Sequence, residues 1–296
     1  MSNAHASSSS SKYYIPHESP WPIYGSATLF VFMIGLCGWL NEWYGPWVFA
    51  VGALMLIGLF VGWFAVVIDE HQRGMYNDQV DQSFRMGMMW FIFSEVMFFA
   101  AFFGALFYAR ELSVPWAGGE GSKIFNGLLL WKDYVPTWPT NGPAALGPRD
   151  DGSFEIIPAF GLPAINTAIL LLSGVTITIA HHALKESNLR ILNIYLAATF
   201  LLGFLFVGLQ AEEYMHAYND LGLQLSTGIY GSTFFMLTGF HGLHVTLGAI
   251  MLVVIWLRTM KGHFTADNHF GFEAVAWYWH FVDVVWLGLF VFVYWL

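Results

Sequence analysis

Six ionisable side chains stand inside stretches that are otherwise apolar: Glu95, His241, His244, Glu273, His280 and Asp283. Glu95 is flanked at helical spacing by Phe91, Ile92, Phe98 and Phe99, with only the adjacent Ser94 offering a polar group. A carboxylate left ionised in such surroundings costs several kcal/mol, so Glu95 is expected to be protonated at neutral pH. His241 and His244 are three residues apart and share a helix face that Gly248 continues. Two imidazoles so placed could hold a metal. They could equally donate hydrogen bonds across a helix bundle to acids on neighbouring helices. No third and fourth ligand falls at a comparable spacing, which favours hydrogen bonding and predicts no metal. At 100° per residue, Glu273 and His280 lie within about 20° of each other, and Asp283 roughly 80° to one side. A helix carrying all three cannot face lipid all round, so one stripe must face protein, water or lipid headgroups. His181-His182 ends another apolar run and reads as an interfacial pair rather than a metal site.

The elements that must position these groups are membrane helices. Of 296 residues, 57% are hydrophobic, 19% aromatic and only 10% charged. Soluble domains carry about 25% charged residues. A polytopic membrane protein is the class that fits. The formal charge of −9 is spread over loops rather than gathered in a patch, and nothing points to nucleic acid. The single cysteine, Cys37, sits in an apolar run, so neither an intrachain disulfide nor a thiolate cluster is available.

Runs long enough to span a bilayer fall at Trp21–Leu40, Trp47–Ile68, Phe84–Tyr108, Phe160–Leu184, Ile191–Leu209, Thr227–Leu257 and Phe270–Leu296. The sixth is long enough to be tilted or to begin outside the hydrocarbon. The second contains Gly58-x-x-x-Gly62, a spacing compatible with close helix approach or with glycines merely tolerated in lipid. Residues 1–20 form a polar, serine-rich tail without signal-peptide features, residues 69–83 a polar linker on the membrane surface, and residues 111–160 a long Gly-, Pro- and Trp-rich loop. That loop reads either as a disordered insertion or as a docking surface. Glu212 and Glu213 fall near an interface, where at least one is expected to be solvated.

Seven spans put the termini on opposite sides. Lys12, Arg73, Arg85, Lys185, Arg190, Arg258 and Lys261 lie on the N-terminal side; Arg110, Lys123, Lys132 and Arg149 lie in or beside the long loop. The positive-inside rule places the N-terminus in the cytoplasm or its organellar equivalent.

Several segments carry a family resemblance: Ser19-Pro-Trp-Pro-Ile, Phe91-Ile-Phe-Ser-Glu-Val-Met-Phe-Phe99, Gln210-Ala-Glu-Glu-Tyr214, Tyr230-Gly-Ser-Thr-Phe-Phe with Thr238-Gly-Phe-His-Gly-Leu-His-Val245, and the stretch from His263 to Trp286. In this order they closely resemble subunit III of the haem–copper cytochrome c oxidases, most weakly between Glu111 and Phe160. The resemblance implies an all-α membrane protein of seven transmembrane helices in two bundles, residues 21–68 and 84–296, forming a V-shaped cleft filled with phospholipid. It implies a non-catalytic core subunit of an enzyme complex that passes electrons from cytochrome c to dioxygen and pumps protons. Haems and coppers would belong to partner subunits, and no cofactor but bound phospholipid to this chain. Partners would be subunit I directly, subunit II and small subunits, and cytochrome c through the complex.

By the same resemblance, Trp63 and Glu70 fall beside lipid at the end of the second helix. Arg258 stands at headgroup depth, where it could pair with a lipid phosphate or act as an ordinary positive-inside anchor. Asp69 stands where the family often has a basic residue, and Arg73-Gly-Met-Tyr-Asn-Asp where it has a His-rich turn. Two other readings stay open: the same subunit of a quinol oxidase, and an independent seven-helix proton transporter using the buried groups as a relay. The serine-rich tail and long loop favour a bacterial inner membrane over a mitochondrial one.

Overall fold

The structure is a computed structural model, and it describes residues 18–296. Lys12 and most of the 1–20 tail therefore lie outside the described residues. Seven helices are long and apolar enough to cross a membrane. They are α1 (Trp21–Leu40), α2 (Trp47–Gln72), α3 (Asp78–Tyr108), α4 (Leu162–Lys185), α5 (Leu189–Asn219), α6 (Gly228–Met260) and α7 (Phe270–Leu289), the last continuing as a wider π-helical turn, Phe290–Trp295. No strand occurs among the described residues. The all-α, seven-span reading of the sequence holds.

Helix ends run beyond the apolar runs. α2 continues through Asp69, Glu70 and His71, and α3 begins at Asp78, leaving only residues 73–77 of the expected 69–83 linker outside helices. Polar residues can extend a helix once it has left hydrocarbon, because helical hydrogen bonds do not require an apolar solvent. The Asn77 side chain accepts from the Val80 N–H at 3.0 Å and opens α3, whose first turn carries Asp78 and Asp81. Acids there face the positive end of the helix dipole.

The described residues divide into two compact units, the first ending at Met86 and the second running from Gly87 to Leu296. In the first, α1 and α2 form a hairpin. Their closest approach is at Gly35, which faces the backbone of Val48 and Phe49, and at Gly52, which faces the backbone of Phe32. The Gly58/Gly62 pair contributes differently: Gly62 receives the Trp21 ring, and Gly58 lies beside the Tyr24 hydroxyl. The connecting turn is pinned by Tyr44, whose hydroxyl donates to the Ile34 carbonyl at 2.6 Å. Cys37 is exposed.

In the second unit α4, α5, α6 and α7 close a ring, each packed on the next and α7 back on α4. The core is aromatic. Trp279 and Trp286 of α7 are fully buried, and their indole N–H groups donate to Ser173 and Thr167 of α4, each at 2.9 Å. The Trp279 ring lies where side chains are missing at Gly203 of α5 and Gly248 of α6. From Gly87 onward α3 packs through Phe98 on Phe240, Phe99 on Phe281, and Phe103 against Gly288.

The long loop is tied to its own chain. Asn141 Nδ2 donates to the Leu146 and Gly152 carbonyls at 2.9 and 2.7 Å, and Arg149 donates to the Asp220 carbonyl at 2.7 Å. The Glu155 N–H donates to the Leu221 carbonyl at 2.9 Å, and Phe154 and Trp138 both contact the Tyr230 ring. The second half of the loop thus caps the α5–α6 turn and the start of α6. A disordered insertion does not describe it.

Candidate functional site

Glu95 and His244 meet. The first projects from the middle of α3, the second from α6, and Glu95 Oε2 lies 3.0 Å from His244 Nε2. His244 Nδ1 lies 2.6 Å from the Phe240 carbonyl. A carbonyl can only accept, so Nδ1 carries a proton and donates. One further proton then serves the Glu95–Nε2 contact, either on the carboxyl group with the imidazole neutral or on Nε2 opposite a carboxylate. Phe98, Phe99, Tyr278 and Phe281 surround the pair, with ring centroids 5.0–6.3 Å from the imidazole.

His241 turns elsewhere. It is completely buried and donates from Nε2 to the Val282 carbonyl of α7 at 3.2 Å, among Phe99, Phe206 and Trp286. Its Nδ1 is buried with no hydrogen-bond partner. The two imidazoles share a helix face but not a ligand position. Each knits α6 to a neighbouring helix.

The stripe expected on α7 separates by depth. Glu273 lies in the first turn, with Oε1 3.6 Å from His269 Nε2 and 3.8 Å from His181 Nε2. His280 stands roughly 10 Å further along the axis at 1.5 Å per residue. Its Nδ1 lies 3.5 Å from Asp283 Oδ2, and its Nε2 3.4 Å from the Thr178 hydroxyl of α4. Gly174 leaves room for the Asp283 carboxyl group, whose Oδ1 is buried without a partner.

The residues expected beside lipid are placed as follows. Trp63 is exposed on α2, and Glu70 accepts from the Tyr76 hydroxyl at 2.6 Å. Arg73 pairs with Asp69 at 2.7 Å. In the second unit, Arg258 ends α6 with its guanidinium 4.4 Å over the Phe264 ring and its Nε buried without a partner.

Sequence reasoning missed two arrangements. Glu213 is buried and accepts from the Tyr294 hydroxyl at 2.6 Å, whereas Glu212 is exposed. His269 joins His181 and Glu273. The four-residue spacing from His269 to Glu273 was available as a signal, but His181 comes from a helix 88 residues earlier.

A family model described as cytochrome c oxidase subunit III matches residues 11–120 and 149–296. The unmatched residues 121–148 belong to the long loop. The cytochrome c oxidase subunit 3 of Dugong dugon is 40% identical over 284 residues, covering 96% of each chain. That of Oryctolagus cuniculus is 40% identical over 290 residues and that of Danio rerio 40% over 284, each again covering 96% of both chains. The helices, the buried acid–imidazole contacts and these matches agree: the chain belongs to the cytochrome c oxidase subunit III family.

Proposed function

We propose that this chain is the non-catalytic subunit III of a respiratory complex that carries electrons from cytochrome c to dioxygen and pumps protons. It stabilises subunit I, retains phospholipid in a cleft between two helix bundles, and supports proton uptake. Haems and coppers reside in partner subunits, and this chain holds none. The N-terminus lies on the cytoplasmic side and the C-terminus on the opposite one, as the distribution of Lys and Arg favours, and the serine-rich tail and long loop favour a bacterial inner membrane.

The observation that carries this reading is that the acids and imidazoles of the spanning helices are engaged in separate local contacts. Glu95 of α3 meets His244 of α6, His241 of α6 meets the Val282 carbonyl of α7, and His280 of α7 meets the Thr178 hydroxyl of α4. Contacts of this kind cross-link helices, whereas a relay needs a continuous hydrogen-bonded path. Lipid retention is supported by Arg258, whose unpartnered Nε and aromatic platform suit a phosphate at headgroup depth.

Purification through a tag on this chain tests the proposal. Haem-containing partners should arrive in stoichiometric amount with cytochrome c oxidase activity. Isolation of the chain without haem partners, together with proton movement by the chain alone in vesicles, would overturn it in favour of a transporter.

A further inference from the structure

We propose that His181, His269 and Glu273 form a binding site for a divalent transition-metal ion of the zinc type. The site lies where α4 ends and α7 begins, on the side that also carries Lys185 and Lys261. Three elements bring it together: the last turns of α4 supply His181, the residue preceding α7 supplies His269, and the first turn of α7 supplies Glu273. One donor atom from each lies within 4.8 Å of the others. The three edges of this triangle are 3.4 Å between the imidazole Nε2 atoms, 3.6 Å from His269 to Glu273 and 3.8 Å from His181 to Glu273. Tetrahedral zinc with bonds of about 2.0–2.1 Å requires ligand–ligand edges of roughly 3.4 Å. The donors therefore stand within a few tenths of an ångström of a coordination face, leaving one position for water.

The surroundings suit the role. His269 Nδ1 donates to the Thr265 carbonyl at 3.1 Å, which leaves the Nε2 lone pair directed at the cluster. Fixing a ligating imidazole through its other nitrogen is the usual outer-shell arrangement. The His269 backbone is held as well, because its carbonyl accepts from the N–H groups of Phe272 and Glu273 at 2.9 and 3.2 Å. The His269 and Glu273 side chains are 9% and 15% exposed, and His181 is 23% exposed. The donors are thus packed in place, with an approach from the His181 side. Two imidazoles and one carboxylate favour a zinc-type ion over magnesium or calcium, which prefer oxygen alone.

The test uses the purified oxidase complex, chelator-treated and then titrated with Zn2+ alone. Parent and variant complexes are compared by calorimetry and by bound zinc per haem, so zinc held by other subunits appears as a constant background. Loss of an outer-shell partner costs about 10–100-fold in metal affinity. His181→Ala or His269→Ala, which remove a ligand, should therefore weaken one site beyond that range and lower the bound zinc by one ion per chain. Retained subunit content shows that a variant has assembled. Undiminished zinc in an assembled variant overturns the proposal. The unmodified complex gives a second readout, diethylpyrocarbonate labelling mapped by mass spectrometry. Zn2+ should protect His181 and His269 while leaving the exposed His182 unprotected. Equal labelling of all three with and without Zn2+ would also overturn it.

Discussion

Glu95 and His244 have one proton for two basic atoms, because His244 already commits its other nitrogen to the Phe240 carbonyl. Among four aromatic rings, a charge-separated pair is costly, so the proton is expected on the carboxyl group. Infrared difference spectra should therefore show a protonated-acid carbonyl band that disappears in Glu95→Gln. A parent spectrum whose acid bands survive that substitution unchanged would place the proton on His244. Glu95→Gln can still donate to Nε2 and should assemble normally. Glu95→Ala leaves a buried acceptor unpaired and should cost about 1–3 kcal/mol in unfolding stability. At Arg258 the expectation concerns lipid: Arg258→Ala should lower the phospholipid bound to the purified complex and hasten loss of activity during turnover. Unchanged lipid would leave Arg258 as an anchor only. These positions also show what a helical wheel conveys. It placed His241 and His244 on one face and Glu273 near His280 in azimuth. Azimuth says nothing about which neighbouring helix stands at each depth, so His241 meeting Val282 and Glu273 meeting His181 were not legible.

Between helices, fit is set by missing side chains. Trp279 fills the space left at Gly203 and Gly248, and a β-carbon at either would collide with the indole. Overpacking of this sort costs about 1–3 kcal/mol. Gly203→Ala and Gly248→Ala should each lower the denaturant midpoint at which the bundle loses near-ultraviolet aromatic dichroism. Gly208 of α5 has open space around it, and Gly208→Ala should leave the midpoint unchanged or raise it. Equal effects at all three positions would remove the argument. The seven helices were legible as apolar runs because lipid imposes a minimum length. Their ends were not: α5 runs ten residues past Leu209 to Asn219, where a carboxyl–phenol contact and an exposed acid coexist on one helix.

For the molecule as a whole, residues 121–148 of the long loop lie outside the ranges that the family model matches. The loop's second half is nevertheless built in. Asp151 lies in the turn that precedes the contacts of Glu155 with Leu221, and its Oδ1 accepts from the Ser153 N–H at 2.9 Å. That backbone hydrogen bond, with a lesser one from the Ser153 side chain, holds the Asp151 carboxyl below its ordinary 3.8. A carboxyl with a depressed pKa adds stability above its unfolded value and loses it as pH falls through the folded one. Hydrogen exchange at the Ser153 amide should therefore quicken, relative to its intrinsic rate, as the solution is acidified below about pH 3.8. In Asp151→Asn that dependence should vanish; its persistence would assign the effect elsewhere. Loop order was illegible in sequence because it rests on backbone carbonyls of Asp220 and Leu221, some seventy residues away.

The indole of Trp279 touches three helices that are translated before its own: it reaches Ser173, Gly203 and Gly248 at once. Until α7 enters the bilayer, α4 and α5 are held through Thr176 and Thr199, and α5 and α6 through Gln210 and Thr238, but the slot between them stays unfilled. A chain ending before Phe270 should thus keep the α4–α5 and α5–α6 contacts yet lack the indole that fills their shared slot, and it should yield to protease sooner than the full chain.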